Sequence, residues 1–91
     1  VVDVFKNDKE VVLAAVKTHG YALQEVSKEL QNDKDIVMAA VKHSGNALEY
    51  ASKNLKNDKE VVLEAVKSDE RAMVFASKNL KSDKDIKSVI S

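Results

Sequence analysis

The sequence contains no cysteine, no proline and only two glycines. Without cysteine there is no disulfide and no thiolate to hold a metal. Either redox compartment fits, and the expectation is a soluble chain with the cytoplasm favoured. Without proline, and with Ala, Val, Leu, Lys and Glu abundant, the composition leans helical. Valine is frequent enough that periodicity has to decide. No charge of one sign dominates: 15 basic residues face 15 acidic ones. A neutral chain sets up no general field toward nucleic acid or an anionic membrane. Long apolar runs are missing too. The longest runs, such as Val11-Val12-Leu13-Ala14-Ala15-Val16, have six residues, against the ~20 that a spanning helix needs. No stretch reads as a signal peptide, and no membrane partner is expected. The first residue is Val1 rather than methionine, which reads as a trimmed chain or a fragment.

What is present is a repeat. Asn7-Asp8-Lys9-Glu10 returns as Asn32-Asp33-Lys34-Asp35, as Asn57-Asp58-Lys59-Glu60 and as Ser82-Asp83-Lys84-Asp85, in steps of 25 residues. Residues 7–31 match 32–56 at 14 of 25 positions, and 32–56 match 57–81 at 14 of 25. Residues 1–6 align with the tail of a repeat and 82–91 with the head of one. The chain thus divides into a partial repeat 1–6, repeats 7–31, 32–56 and 57–81, and a partial repeat 82–91. An array cut inside repeats at both ends is expected to be a piece of a longer one.

Each repeat reads as a helix pair. Asp8, Asp33, Asp58 and Asp83 precede apolar runs, where a carboxylate accepts backbone N–H bonds as an N-cap. Glu10, Asp35, Glu60 and Asp85 suit the positive end of the helix dipole, and Lys17, Lys42 and Lys67 the negative end. Gly20 and Gly45 punctuate the first helix as glycines do at C-termini; Glu70 stands there in the third repeat. Ser44 and Asp69 read as caps of a second helix running to Leu30, Leu55 and Leu80. On the first helix Val11, Val12, Leu13, Ala15 and Val16 cover a wide arc, leaving Glu10, Ala14 and Lys17 as a wet stripe. Small residues recur at Ala15, Ala22 and Ser27 and their equivalents, which lets helix axes approach closely. A 25-residue unit cannot bury its own faces, so units must stack. The expected fold is all-α: an α-solenoid of tandem 25-residue helix-turn-helix repeats, with about seven helical segments, the first a half-helix.

The phrase Asn-Asp-Lys-Glu-Val-Val-Leu-Ala-Ala-Val-Lys (7–17), followed by Gly-x-Ala-Leu (20–23) and Ala-Ser-Lys-x-Leu (51–55), resembles the tandem-repeat family known as domain of unknown function 4116. The likeness runs through 7–81 and into both ends. It implies a short helical repeat, and it brings no catalytic residue with it. Ser68-Asp69-Glu70-Arg71 departs from the pattern.

Catalytic and metal chemistry find no set of residues. His19 and His43 lie in the turn between helices and read as solvated; a metal site needs three or four converging ligands. The carboxylates sit at structural positions in every unit, whereas catalysis needs one site. There is no Ser–His–Asp set and no glycine-rich phosphate loop. The expectation is a non-enzyme with no cofactor and no metal. Three lysine columns (Lys9, Lys34, Lys59, Lys84; Lys17, Lys42, Lys67; Lys28, Lys53, Lys78) would give phosphates a track, but acidic columns share their period, so nucleic acid is an unfavoured partner. The candidate partner surface is Tyr50, Arg71, Val74 and Phe75, because Tyr and Arg are common hot-spot residues and Val74 occupies a face that should be wet. Tyr50 is expected to pack against a neighbouring repeat. At the far end Lys87 and Ser88 put polar groups where Val12 and Leu13 would be buried, as a capping repeat does, although Val89 falls on the wet stripe. Exposed array ends also admit end-to-end self-association. The leading expectation is a non-enzymatic helical-repeat scaffold that binds protein. The alternatives are a passive spacer within a longer array and, behind it, a nucleic-acid binder.

Overall fold

The aspartates decide where the long helices begin. The structure, a computed structural model, describes residues 8–90; the partial repeat at 1–6 lies outside them. In chain order the elements are α1 (Lys9–Thr18), the 3-10 helix η1 (Gly20–Glu25), α2 (Lys28–Gln31), α3 (Lys34–His43), η2 (Gly45–Tyr50), α4 (Lys53–Lys56), α5 (Lys59–Ser68), η3 (Glu70–Phe75), α6 (Lys78–Lys81) and α7 (Lys84–Ile90). The chain is all-helical, with no strand among the described residues. Asp8 accepts the Val11 N–H, Asp33 those of Asp35 and Ile36, Asp58 those of Glu60 and Val61, and Asp83 those of Asp85 and Ile86. Each cap satisfies amides that the helix itself leaves open and is worth about 1 kcal/mol.

The second helix of each repeat is not continuous. The chain turns through a six-residue 3-10 segment, longer than the ~3–4 residues such segments usually reach. It then runs extended through Val26 and Ser27, at ψ 165° and 158°, before a single α turn. The reason is Ser27. Its hydroxyl accepts the Leu30 N–H at 3.3 Å, as Ser52 does for Leu55 at 3.2 Å and Ser77 for Leu80 at 3.4 Å. A serine that finds this cap competes with helix interior, so the recurrent serines act as caps. Ser44, expected to cap, makes no such bond, while Asp69 does so by accepting the Arg71 N–H at 3.0 Å.

The long helices pack in sequence, α1 on α3, α3 on α5 and α5 on α7, and the 3-10 segments lie side by side in the same order. Two apolar positions face opposite ways. Ile36, Val61 and Ile86 are fully buried, but their counterpart Val11 is 42% exposed, because no described helix precedes α1. Val12, Val37 and Val62 are fully buried, but their counterpart Lys87 is exposed on α7, which no described helix follows. One position therefore looks back along the chain and the next looks forward. The expected burial of Val11 fails for this reason. The described residues extend over 44 × 21 × 16 Å.

The glycines serve this packing and not the backbone. Neither has positive φ, so the left-handed helix ending that glycine suggests is not used. A Cβ on Gly20 would sit 2.7 Å from the Ala40 carbonyl oxygen and 2.8 Å from the Ser44 Cβ. One on Gly45 would press harder still, on the Ala65 carbonyl oxygen, and lie 2.9 Å from the Asp69 nitrogen. Each glycine also donates its N–H across the seam, Gly20 to His43 Nδ1 at 3.1 Å and Gly45 to Ser68 Oγ at 3.2 Å. The seams carry a second set of bonds. Ser52 N–H reaches Gln31 O and Ser77 N–H reaches Lys56 O, both at 3.0 Å. The same serine hydroxyls donate to Asn32 Oδ1 and Asn57 Oδ1 at 2.6 Å.

Gly45→Ala is expected to destabilise the fold by about 1–3 kcal/mol, the range of overpacked sites, and by more than Gly20→Ala. Glu70→Ala, at an exposed position, is expected to change the urea midpoint little. Urea unfolding followed by circular dichroism ranks the three.

Candidate interaction surface

The 3-10 segments form a ridge, and five of the six positions in each differ between repeats. Tyr21 and Tyr50 meet edge to face, centroids 6.3 Å apart and planes at 82°. Tyr21 remains 49% exposed, while Tyr50 is half-buried and packs against the core. Burial, then the neighbouring Glu49 charge, pushes the Tyr50 phenol above its ordinary pKa. The next interface is polar. Asn46 Nδ2 donates to Asp69 Oδ2 at 3.0 Å. Arg71 donates to the same carboxylate from Nε at 3.0 Å and Nη2 at 2.7 Å. The Arg71 guanidinium, backed by backbone and Asn46 bonds, holds the Asp69 carboxyl down to about 2. Asn46 Oδ1 is buried with no partner among the described residues.

Of the four candidate surface residues, Arg71 has a side chain 80% exposed, although its guanidinium is braced by Asp69. Val74 is 65% exposed. Phe75 is half-buried against the core. Sequence reasoning did not single out Tyr21 as a site residue, nor the Asn46–Asp69 link. The signal for Tyr21 was present: it shares a repeat position with Arg71 and is an aromatic on a polar face. Glu25, Glu49 and Glu70 are exposed on the same segments.

The lysine columns fare differently. Lys9 bridges Asp33 and Asp35 at 3.1 and 3.3 Å, Lys34 bridges Asp58 and Glu60 at 3.1 and 2.7 Å, and Lys59 bridges Asp83 and Asp85. Each lysine ties its helix to the cap of the next. These bonds raise the ammonium pKa of all three, the largest contribution coming from Asp33, Glu60 and Asp85 respectively. A phosphate track would have to displace these carboxylates first. The Lys17, Lys42 and Lys67 column and the Lys28, Lys53 and Lys78 column are exposed.

Between α1 and α3 lies an open cleft of about 580 Å³, lined by Leu13, Lys17, Asp35, Met38, Ala39, Lys42 and His43. It includes none of the four candidate residues. His43 Nδ1 is already engaged by the Gly20 N–H. Among the described residues no three His, Asp or Glu side chains converge as metal ligands, and no helix is long and apolar enough to cross a membrane.

The Asp69 carboxyl fixes a pH dependence. Its native pKa of about 2 lies below the ordinary 3.8, so the stability it contributes is complete above about pH 4 and fades as pH falls toward 2. Asp58 and Asp83 are lowered as well. Burial opposes this shift most, but the Lys34 bond and backbone amides outweigh it at Asp58, and backbone amides with Lys59 do so at Asp83. An Asp69→Asn variant is expected to lose less stability than the parent between pH 4 and pH 2; acid unfolding in urea measures both.

Comparisons with curated proteins and with solved structures give no match. A family model matches residues 8–56 and 58–87, which is most of the chain. The chain therefore belongs to the family described as Domain of unknown function (DUF4116).

Proposed function

We propose that this chain is an α-solenoid of 25-residue repeats that acts as a non-enzymatic scaffold, binding protein through the ridge of 3-10 segments. Equivalent elements recurring every 25 residues and neighbouring units joined by the same seam bonds support the solenoid reading.

One observation carries the binding reading. Variation among the three full repeats is densest around the 3-10 segments, on the outer side as well as at seam positions. Asn7, Asp8, Lys9, Val12, Ala15, Val16, Lys17, Ser27, Lys28 and Leu30 are identical in all three, whereas between positions 18 and 26 only Ala22 is. The variable block includes the 3-10 segment, and its outer positions carry Tyr21, Arg71 and Val74. Repeat proteins build binding faces by changing surface residues on a constant frame. Exposed Tyr, Arg and Val at such positions suit a protein contact. A passive spacer has no use for side chains that differ from unit to unit.

Affinity capture from native extract, run with the parent chain, a Tyr21→Ala/Val74→Glu variant and a Lys28→Ala control, tests this. The substituted positions are exposed, so folding is expected to hold, with helical circular dichroism as the check. The parent and the control are expected to retain the same protein and the ridge variant to lose it. Retention of the same partner by the ridge variant, or no partner for any of the three, overturns the reading and favours the spacer.

A further inference from the structure

The cleft between α1 and α3 has an apolar floor and a charged end. Lys9 meets Asp33 and Asp35 where the two helices start, and the Gly20 N–H meets His43 where they finish. The helices therefore run side by side in one direction, and the cleft lies along them from Asp35 to His43. At a rise of ~1.5 Å per residue this is about 12 Å. Leu13, Met38 and Ala39 form the floor, half-buried and packed against the core. Lys17 and Lys42, in the last turns of α1 and α3, stand at the His43 end. Unlike Lys9, Lys34 and Lys59, they make no ion pair among the described residues. The negative helix ends there carry roughly half a unit charge each, less than the two ammonium charges together. Asp35, at the opposite end, is held by Lys9. The next seam differs at one floor position. Met38 and Leu63 repeat the pair Leu13 and Met38, and Lys42 and Lys67 repeat the lysines, but a half-buried Glu64 stands at the position of Ala39.

We infer that the α1–α3 cleft binds an amphipathic anion, a carboxylate on an unbranched apolar chain of about eight to ten carbons, the length that spans the floor. The inference goes beyond the scaffold reading and does not depend on it. The cleft volume of about 580 Å³ falls within the ~300–1,000 Å³ usual for small-ligand sites. A chain laid over Leu13, Met38 and Ala39 takes apolar surface of both partners out of water. Its carboxylate then ends between Lys17 and Lys42, where charge-assisted bonds hold it. The floor residues are already packed on the core, so little ordering precedes binding. An alcohol of the same length forgoes the ammonium contacts, a short acid forgoes the floor, and a cationic head group is repelled. At the next seam Glu64 occupies the floor and repels the acid, so the site is confined to the first.

The test uses the whole chain and four probes: octanoate, 1-octanol, octylammonium and acetate. Methyl and amide chemical shifts are followed by NMR below the micelle range of each probe. Octanoate is expected to shift the Leu13, Met38 and Ala39 methyl resonances, to saturate, and to bind several-fold more tightly than the other three. Ala39→Glu, which copies the next seam, is expected to weaken octanoate tenfold or more. Lys17→Gln/Lys42→Gln is expected to bring octanoate down to the level of octanol. The ridge variant Tyr21→Ala/Val74→Glu is expected to bind octanoate as the parent does. Glutamate already stands at the equivalent position 64, so Ala39→Glu is expected to fold, with circular dichroism and urea midpoints as the check. The inference is overturned if octanol or octylammonium binds as tightly as octanoate, or if Ala39→Glu binds it unchanged. Shifts spread over the ridge and both seams mark general adsorption of amphiphiles and overturn it too. Absence of octanoate binding removes the cleft site and leaves the ridge reading untouched.

Discussion

A ten-residue helix with apolar side chains on opposite faces has no stable life alone. That constraint governs the molecule. Val12 and Val16 on α1, Ile36, Val37, Ala40 and Val41 on α3, and Val61, Val62, Ala65 and Val66 on α5 are buried because each helix is covered on more than one side. Where a neighbour is missing among the described residues, the sequence or the exposure changes. Val11 is open on the backward face of α1, and Lys87 replaces valine on the forward face of α7. The core is a series of seams, each made from one unit's forward face and the next unit's backward face.

Polar chemistry fixes the register of those seams. Apolar faces alone tolerate sliding, but each seam carries a lysine clasping two carboxylates, and the two seams between full repeats add a backbone bond into the extended joint before the one-turn helix and a serine–asparagine bond. The glycine contact is the least forgiving, since it sets a 3-10 segment against the carbonyl end of the next long helix with no room for a methyl group. Exposed ion pairs contribute little stability on their own. Their value here is positional: a one-residue slip would separate every lysine from its pair of acids.

Much of this was legible in the sequence, and the misses share a cause. The aspartate caps were readable because cap chemistry is local: Asp58 bonds amides two and three residues ahead. The long helices followed from their apolar arcs. The second helix did not, because Ala22, Leu23, Val26 and Leu30 fit an α wheel, and nothing in that spacing says that Ser27 would rather cap than continue. Gly20 and Gly45 were read for backbone freedom when their role is a contact twenty residues away in sequence. The lysine column was readable as a column, but its pairing with Asp33 and Asp35 depends on which turn of which helix lies alongside. Of the candidate surface, Arg71 and Val74 lie open and Phe75 and Tyr50 are half-buried. Tyr21 was undervalued because its importance comes from its ring partner in the next unit.

The 3-10 geometry has a consequence for how the ridge can vary. At three residues per turn, side chains three apart eclipse one another, so each segment is a three-sided prism. One side, Gly20 with Leu23 and Gly45 with Leu48, is buried; a second, Ala47 with Tyr50 and Ala72 with Phe75, wedges between units; the third holds Tyr21 and Gln24, Asn46 and Glu49, Arg71 and Val74. An α-helix spreads successive surface positions around a spiral, so altering a binding face disturbs neighbouring faces. Here the outward side is a two-by-three grid of positions, five of them exposed, that can be rewritten with little disturbance to the packed sides beneath.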